Sequence, residues 1–365
     1  MVDFAFYREY RPKMLHQIVG QEQATDVIKQ SCVKEKFHHA YLLYGPFGTG
    51  KTTAARVLAA ILTCENREVG SFVTCGKCLG CRTARAGGGI DIREMDSGGI
   101  EGKKDEIVGM INSSRFSPQE LKRRVFIIDE FHGLSAGAMR ALLKPIEEPP
   151  PHVTFILCTT DYRKVPPAIS SRCQRLLFRP IPDTTISFYL EKLSQHVGID
   201  CEKEACVELA RSSRGCMRTA LNLLEMANVS CDGGITGDAV RSMLGLGGRD
   251  SIYALFDAIT AKNAPQALAI ADKIFLSVVD LRALCYEMSE IIRMIGISVV
   301  GNGRPDGATE SEWEKITQLA GTFTANDVTS IAGVFNNIVG DLEINLNPRL
   351  VFQSLVLSLI HGHGG

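Results

Sequence analysis

The sequence lacks an excess of either charge. Its 365 residues include 40 Lys and Arg against 41 Asp and Glu, which gives a formal net charge of −1 with neutral His. Bulk charge therefore gives no sign of a nucleic-acid partner. If such a partner binds, it has to do so through a local basic patch or through an assembled surface.

The sequence also lacks long hydrophobic runs. No uncharged apolar run reaches about 18 residues, and the N-terminal "MVDFAFYREYRPKML" has no apolar core of a secretory signal. We therefore expect an intracellular protein without a membrane span, in which cysteines are reduced. The length and the 45% of hydrophobic residues suit an ordinary globular protein of two or three domains.

Five short apolar runs predict buried strands in the first half of the chain. They are Ala40–Tyr44, Ile90–Met95, Val125–Asp129, Val153–Thr160 and Arg175–Arg179. Helix-like segments lie between them. Strands that alternate with helices indicate βαβ units and a mostly parallel sheet covered on both faces, so we predict an α/β fold.

Two breaks divide the remaining chain. Pro180 and Pro182 in "FRPIPDT" end the alternating pattern, and "GLGGRD" (Gly245–Asp250) interrupts a region that is otherwise helical in its apolar spacing. We predict an α/β domain over 1–180, a small helical domain over 181–245 and an all-helical domain over 246–365.

The stretch "GPFGTGKT" (Gly45–Thr52) matches the G-x-x-x-x-G-K-[ST] phosphate loop between a predicted strand and a predicted helix. Its backbone N–H groups and the helix N-terminus suit phosphate oxygens. We expect Lys51 to reach the β- and γ-phosphates of ATP and Thr52 to ligate Mg²⁺. The other nucleotide contacts predicted here are Gly45, Pro46, Phe47, Gly48, Thr49, Gly50 and Thr53. The strand–loop–helix order disfavours a chance match in a glycine-rich turn.

The stretch "VFIIDEFH" ends an apolar strand with two carboxylates. Asp129 is suited to hold Mg²⁺, directly or through water, and Glu130 to polarise the attacking water. An acidic turn after a buried strand is common by itself. Beside a phosphate loop, the second carboxylate indicates hydrolysis rather than ATP binding alone.

Four of the 12 cysteines share the spacing C-x10-C-x2-C-x2-C: Cys64, Cys75, Cys78 and Cys81. The short steps let thiolates converge on one ion, and the distant fourth closes a tetrahedral site. Such a site has no open position, so we predict structural Zn²⁺, with Gly76 and Gly80 allowing the turns between ligands. An iron–sulfur cluster or free thiols are the alternatives.

Taken together, these motifs resemble the AAA+ clamp-loader ATPases, most closely the bacterial DnaX (gamma/tau) family of DNA polymerase III. The resemblance is carried by "YREYRPKMLHQIVGQE", "GPFGTGKTTAARVLA", "DEFHGLSAGAMRALLKPIEEPPPHVTFILCTTD", "SSRC" and "GCMRTALNLL". It implies an AAA+ P-loop NTPase domain with a zinc insertion at 64–81, a helical lid domain and an all-α collar domain. The last part of the chain resembles the helical collar of the family only in its general type.

The resemblance also implies roles for single residues. Thr160 stands at the sensor-1 position, and Arg172 matches the arginine finger that reaches the ATP of a neighbouring subunit. Arg218 matches the sensor-2 arginine. Taken alone, the two arginines would be an ordinary surface residue and a helix-terminal residue. Val19 and Gly20 lie where the family packs around adenine, and three further predicted nucleotide-binding residues lie just upstream: Tyr10, Arg11 and Pro12.

The implied function is that of an ATP-driven clamp-loader subunit. It would act with other clamp-loader subunits in a spiral, open a sliding clamp and load it on primer–template DNA, in the cytoplasm of a bacterium or of an infected host cell. DNA would be held through phosphates, with candidate basic positions at Lys103, Lys104, Arg115, Lys122, Arg123 and Arg124. Three alternatives stay open: a branch-migration type of AAA+ ATPase, a non-hydrolysing scaffold subunit, and a zinc module with ATP as a structural ligand.

Overall fold

Five strands form one parallel sheet. The computed structural model describes residues 5–97, 104–231, 233–244, 249–277, 281–301, 303–305, 308, 310–341 and 347–362. The strands are β1 (Ala40–Tyr44), β2 (Ile92–Asp96), β3 (Arg124–Asp129), β4 (Val153–Thr159) and β5 (Gln174–Leu177). Their order across the sheet is β2-β3-β4-β1-β5, and every neighbouring pair is parallel. The predicted α/β fold is confirmed.

The other regular elements are helices. Those up to residue 230 are α1 (Phe6–Glu9), α2 (Glu22–Val33), α3 (Lys51–Thr63), α4 (Leu79–Ala86), α5 (Lys104–Ser114), α6 (Ala136–Glu147), α7 (Pro167–Ser170), α8 (Asp183–Val197), α9 (Lys203–Ser212) and α10 (Met217–Ser230). The later ones are α11 (Gly237–Met243), α12 (Arg249–Thr260), α13 (Ala264–Ser277), α14 (Leu281–Val299), α15 (Glu310–Ala320), α16 (Ala325–Asp341) and α17 (Pro348–Gly362). None of the described helices combines the length and the apolar character needed to cross a membrane.

Both faces of the sheet are buried. In β1, Tyr41 and Leu43 join one apolar cluster, whereas Leu42 joins the cluster on the opposite face. In β3, Ile127 and Ile128 divide between the two clusters in the same way. Side chains alternate between the faces of a strand, so a strand covered on both sides needs apolar residues at every position. This explains why β1, β3 and β4 read as almost continuous apolar runs, whereas β2 and β5, at the edges of the sheet, expose some of their residues.

The start of β2 differs from the prediction. The sequence predicts a strand from Ile90, but the structure begins it at Ile92. Ile90 is 44% exposed, and Asp91 is buried with its carboxylate accepting hydrogen bonds from a neighbouring loop. The carbonyl oxygen of Asp91 still accepts a hydrogen bond from Val125 of β3, while its side chain binds the loop, and the regular strand starts at Ile92.

The chain divides into two compact units. One comprises Met1–Leu193 and Leu209–Met226, and the other comprises Ser194–Glu208 and Ala227–Gly365. The second unit has an apolar core of its own, formed by helices α12 to α17 around side chains such as Phe256, Met288 and Phe352. The division into three domains at 180 and 245 stays a prediction.

Candidate functional site

The carboxyl ends of three adjacent strands bring the predicted motifs to one edge of the sheet. Strands β3, β4 and β1 are neighbours in that order. The phosphate loop follows β1, Asp129 ends β3, and Thr160 follows β4. Ligands of open α/β sheets bind outside the carboxyl ends of the strands. Motifs far apart in sequence therefore meet because of the strand order.

The phosphate loop is too tightly packed for side chains at two of its glycines. Gly45 has φ 146°, and a Cβ there would lie 1.9 Å from the carbonyl oxygen of Phe178. Gly48 has φ 70°, and a Cβ there would lie 2.0 Å from Cys216 Sγ. Both positions combine a left-handed backbone with a close approach, so only glycine fits.

Lys51 and Thr52, the first residues of α3, both point into this edge. Lys51 is only 5% exposed, and its Nζ donates to the carbonyl oxygens of Gly45 at 2.8 Å and Pro46 at 2.7 Å. A lysine ammonium has three N–H donors, which leaves one for a phosphate oxygen. Burial lowers the pKa of Lys51, and the nearby acids Glu130 and Asp129 oppose that shift.

Two oxygens suited to Mg²⁺ lie side by side. Thr52 Oγ1 donates a hydrogen bond to Asp129 Oδ2 at 2.6 Å. Mg²⁺ prefers oxygen ligands and is held in proteins by few side chains together with phosphates and waters. A hydroxyl and a carboxylate at the mouth of a phosphate loop therefore fit this ion.

The carboxylate of Glu130 is held by two side chains. Thr160 Oγ1 donates to Glu130 Oε2 at 2.9 Å, and His132 Nδ1 lies 3.3 Å from the same oxygen. His132 Nδ1 also lies 3.1 Å from Thr159 Oγ1. Glu130 itself has φ 47°, a left-handed conformation that turns its side chain out of the strand direction. Sequence reasoning missed His132, although it follows the acidic pair by two positions in "DEFH".

A cavity of about 250 Å³ opens at this edge. The predicted residues that line it are Tyr10, Arg11, Pro12, Val19, Phe47, Gly48, Thr49, Gly50, Lys51, Thr52, Thr53, Asp129, Glu130 and Arg218. Lining residues that sequence reasoning missed are Tyr7, Gln17, Ile18, Asp96, Ile181, Tyr189, Met217 and Leu221. Gly45, Pro46, Thr160 and Arg172 are predicted residues outside the lining. Of these four, Thr160 still reaches the site through Glu130.

The N-terminus of α10 is fastened to the phosphate loop. The backbone N–H of Met217 donates to the carbonyl oxygen of Gly48 at 3.1 Å. Cys216 Sγ accepts from the backbone N–H of Thr219 at 3.4 Å and so serves as the helix cap. Arg218 then lies over the ring of Phe47, with its guanidinium carbon 4.7 Å from the ring centre. These contacts bring Arg218 to the cavity from a distant part of the chain.

Arg172 lies elsewhere, just after α7. Its guanidinium forms an ion pair with Glu147 at 2.5 Å and donates to the carbonyl oxygen of Ala168 at 2.7 Å. The side chain is 39% exposed and does not line the cavity. Within its own chain, Arg172 therefore contributes nothing to the nucleotide cavity.

The four predicted cysteines converge. Their sulfur atoms all lie within 4.8 Å of one another, with 3.9 Å between Cys64 and Cys78 and 4.0 Å between Cys75 and Cys81. A tetrahedral Zn²⁺ with Zn–S bonds of about 2.3 Å would hold its sulfurs about 3.8 Å apart. The arrangement is compatible with zinc, and all four corners would be taken by sulfur.

Local backbone geometry explains how the cysteines are presented. The backbone N–H groups of Lys77 and Cys78 donate to Cys75 and lower the pKa of its thiol to about 6. Gly76 has φ 72° and permits the turn, as predicted. Gly80 was predicted to serve a turn as well, but it lies inside α4. A Cβ there would lie 2.6 Å from the carbonyl oxygen of Thr63, so this glycine allows α4 to approach α3.

The cysteine-bearing segment is attached to the end of α2. Arg67 and Glu35 form an ion pair at 2.8 Å, and the backbone N–H of Gly70 donates to Glu35 at 2.8 Å. Arg67 also lies over the ring of Phe37, 5.4 Å from its centre. These contacts hold the first part of the cysteine-bearing segment against the residues that follow α2.

The prediction that Arg124 contacts DNA is wrong. Arg124 is 4% exposed and forms a buried ion pair with Asp91 at 2.8 Å, so its guanidinium cannot reach a DNA phosphate. Arg115 and Lys122 are exposed, and Arg123 is half-buried. Lys103 and the side chain of Lys104 lie outside the described residues.

Family models match most of the chain. The model described as DNA polymerase III, delta subunit, matches residues 20–182. The model of DNA polymerase III subunits gamma and tau domain III matches residues 235–363.

Curated relatives match over longer stretches. The chain is 33% identical over 291 residues to DNA polymerase III subunit gamma of Buchnera aphidicola (subsp. Acyrthosiphon pisum), which covers 80% of each chain. It is 32% identical over 359 residues to subunit tau of Bacillus subtilis, covering 97% of this chain and 63% of that one. With subunit tau of Escherichia coli, 32% identity extends over 88% of this chain and 50% of that one. The chain thus spans about half to two thirds of the tau subunits it matches.

Among solved structures, the Thermotoga maritima RuvB Holliday junction branch migration motor has a TM-score of 0.48 at 20% identity, over 68% of this chain and 79% of that chain. This likeness is too loose to bear on function.

Proposed function

Because the chain belongs to the gamma and tau family of DNA polymerase III subunits, we propose that it is an ATP-driven clamp-loader subunit. It uses ATP binding and hydrolysis at subunit interfaces to open a ring-shaped sliding clamp and load it on primer–template DNA. The convergence of the phosphate loop, Asp129, Glu130 and Arg218 on one cavity carries this proposal. A scaffold that only bound its partners would have no need of this set of groups.

The chain's residues divide the work of holding ATP. Backbone N–H groups of the phosphate loop and the ammonium of Lys51 bind the phosphate oxygens. Thr52 and Asp129 would hold Mg²⁺, which when bound offsets the charge on the phosphates. Tyr10, Pro12 and Val19 line the same cavity and pack against the base. This assignment is supported by the hydrogen bond between Thr52 and Asp129.

Glu130 is the general base that orients and polarises the attacking water. Its carboxylate accepts a hydrogen bond from Thr160 and lies beside His132, so two neighbours restrict its rotamers. Thr160 has one hydroxyl proton, which it can donate either to Glu130 or to a γ-phosphate oxygen. Nucleotide binding and the position of the base are coupled through this hydroxyl.

Arg172 acts on the ATP of a neighbouring subunit. Support comes from its exposure and from its position outside the cavity of its own chain. An arginine supplied in trans is worth about 10³ to 10⁵ in rate, because a planar guanidinium meets the charge that develops on the transferred phosphoryl group. Hydrolysis then depends on a complete assembly.

The four cysteines hold a structural Zn²⁺. The segment from Cys64 to Cys81 is too short to build an apolar core, so a metal with four thiolate ligands replaces one. The cysteines lie far from Asp129 and Glu130 in the sequence, and a metal with four thiolate ligands has no open ligand position. Both points support a structural role rather than a part in ATP hydrolysis.

A clamp-loading assay tests the proposal. The full chain, assembled with its co-subunits, is given ATP, sliding clamp and primed circular DNA, and the clamp retained on DNA is measured. We expect loading and turnover with wild type, and with Glu130→Gln we expect normal ATP binding but turnover lowered by about 10² or more. Glu148→Gln is the matched control, because it makes the same substitution at an exposed acid that does not line the cavity. Clamp loading without ATP, or unchanged turnover in Glu130→Gln, would overturn the assignment.

A further inference from the structure

A second concave site lies next to the nucleotide cavity. It has a volume of about 820 Å³ and is bounded by the N-terminal segment, α3, the end of α4 and the start of α10. We call it the basic groove, because its lining contains six cations: Arg8, Arg11, Lys13, Arg56, Arg85 and Arg218. Glu9 is the acid in the lining. A groove with this charge imbalance is unusual in a chain whose net charge is −1.

Only one of the six cations is neutralised by an acid within the described part of the chain. Arg56 forms a two-pronged ion pair with Glu94, at 2.7 Å and 2.6 Å. Arg8 donates to the hydroxyl of Tyr7, and Arg85 donates to a backbone carbonyl, so neither guanidinium meets a carboxylate.

Arg11 is a partly buried cation that lies beside other cations. It is half-buried, and no hydrogen bond or ion pair is found for it among the described residues. Burial, followed by repulsion from Arg56 and Arg218, lowers the pKa of Arg11. Arginine stays protonated in proteins, so its positive charge persists beside other cations. An anion in the groove would remove this unfavourable arrangement.

We propose that the basic groove binds a small molecule that carries two or more adjacent phosphates. Guanidinium groups form paired hydrogen bonds with phosphate oxygens, as Arg8 and Arg11 can here, and the ammonium of Lys13 adds a point charge in the same concavity. The volume lies within the range of roughly 300–1,000 Å³ that is usual for small-molecule sites. Tyr7 also lies in the lining, with the guanidinium groups of Arg8 and Arg218 over its ring.

The concave shape distinguishes this ligand from duplex DNA. A duplex presents its phosphates on a convex surface about 20 Å across and meets extended basic surfaces. The groove is instead a recess walled by Val57, Ala60 and Ala86 beside its cations. A compact polyphosphate can enter such a recess and contact several of its walls at once.

The groove and the nucleotide cavity share four residues: Tyr7, Arg11, Pro12 and Arg218. Arg218 lies over both Tyr7 and Phe47, and Phe47 belongs to the phosphate loop. A polyphosphate in the groove therefore changes ATP affinity through Arg218. This coupling rests on the proposed function, whereas binding in the groove does not.

Equilibrium dialysis of the full chain tests the site. The nucleotide cavity is first saturated with ADP and Mg²⁺, and labelled inorganic pyrophosphate is then titrated. We expect one pyrophosphate per chain, with affinity lowered about tenfold or more in Arg8→Ala/Lys13→Ala, because two charged hydrogen-bond donors are lost. Lys34→Ala/Lys36→Ala removes the same charge from the exposed end of α2 and should bind like wild type.

Two further arms identify the ligand. Adenosine tetraphosphate that competes more tightly than inorganic tetrapolyphosphate, which carries the same number of phosphates, indicates a nucleotide ligand, and equal competition indicates an inorganic one. The proposal is overturned if no pyrophosphate binds beside ADP, if both double variants weaken it equally, or if only duplex DNA binds at these residues. Because pyrophosphate binding is measured directly, a negative result in the clamp-loading assay would not affect the conclusion about the basic groove.

Discussion

The hydroxyl of Thr160 donates a hydrogen bond of 2.9 Å to the carboxylate of Glu130. The bond joins the ends of two neighbouring strands, β4 and β3. Because the same carboxylate oxygen lies 3.3 Å from His132, the proposed base is restricted from two sides. Its position depends on two side chains for which no hydrogen bond to the phosphate loop is found among the described residues.

Replacing Thr160 by Val should therefore lower turnover more than ATP binding. Valine keeps the shape of the side chain but removes the donor to Glu130. We expect kcat for ATP hydrolysis to fall about 10- to 100-fold, since positioned general bases contribute about 10² to 10⁴. Steady-state turnover and nucleotide binding, measured on the same preparation, separate the two effects.

Thr154→Val is the matched control for this variant. Thr154 lies on the same strand, and its buried Oγ1 has no hydrogen-bond partner among the described residues. Removing an unsatisfied buried hydroxyl should leave turnover unchanged and stability equal or slightly higher. If both valine variants lose turnover equally, the loss is caused by a general disturbance of β4 and not by loss of the hydrogen bond to Glu130.

The four-cysteine cluster predicts one Zn²⁺ per chain. Cys78→Ser should lose this metal and lower the thermal stability of the first unit, since structural zinc supplies folding free energy directly. Metal content by mass spectrometry and thermal unfolding measure the two effects. Cys173→Ala, at a buried cysteine outside the cluster, should keep the metal. Stoichiometric iron, or no metal in wild type, would contradict the zinc assignment.

The buried ion pair between Asp91 and Arg124 predicts a large loss on neutralising one partner. Asp91→Asn leaves the guanidinium of Arg124 without its counter-charge at a site where both side chains are at most 5% exposed. Breaking such a pair costs about 3–5 kcal/mol. Urea unfolding measures the change, and Asp238→Asn, at a largely exposed pair with Arg241, should cost far less.

The same aspartate predicts a loss of stability in acid. Burial raises the pKa of Asp91, but hydrogen bonds from the backbone N–H of Glu120 and from Arg124 outweigh burial and lower it overall. A lowered folded pKa stabilises the protein above the ordinary aspartate pKa of about 4, and this contribution is lost as pH falls below that value. The stability difference between wild type and Asp91→Asn should shrink as the pH falls below about 4. A difference independent of pH would contradict this.

The packing of Gly48 predicts that even one methyl group disturbs the nucleotide cavity. In Gly48→Ala, the new Cβ would start 2.0 Å from Cys216 Sγ, at a left-handed φ of 70°. We expect α10 to shift with Arg218, and ATP affinity to fall at least about tenfold, in addition to about 1–2 kcal/mol of backbone strain. Gly109→Ala, where a Cβ meets no atom within 4 Å, should bind ATP normally.

Much of the first unit could be predicted because its signals are local. The strand runs are continuous because both faces are buried, and the predicted and observed bounds agree fully for Ala40–Tyr44. The phosphate loop and the cysteine spacing need only neighbouring residues to fix their geometry. The strand order, by contrast, follows from crossovers between distant segments and cannot be inferred from any one run.

The missed residues depend on contacts that sequence spacing does not encode. Arg124 reads as one more cation in "LKRRV", yet its position at the start of a buried strand turns it towards Asp91. The basic groove combines four separate segments, so its cations are unremarkable in sequence and significant only together. His132 shares its segment with the acidic pair, but its role depends on Thr159 from the next strand.

The central claim is that assembled subunits hydrolyse ATP through an arginine supplied by a neighbour. The measurement that tests it most directly is steady-state ATP hydrolysis by the assembled complex, with and without sliding clamp and primer–template DNA, for wild type and Arg172→Ala. Arg293→Ala, at another exposed arginine in an ion pair, is the control.

The account predicts that clamp and DNA stimulate wild type and Arg293→Ala. Arg172→Ala should bind ATP normally and lose turnover by about 10³ or more. ATP turnover that is not stimulated by clamp and DNA, and that is unchanged in Arg172→Ala, would contradict the account.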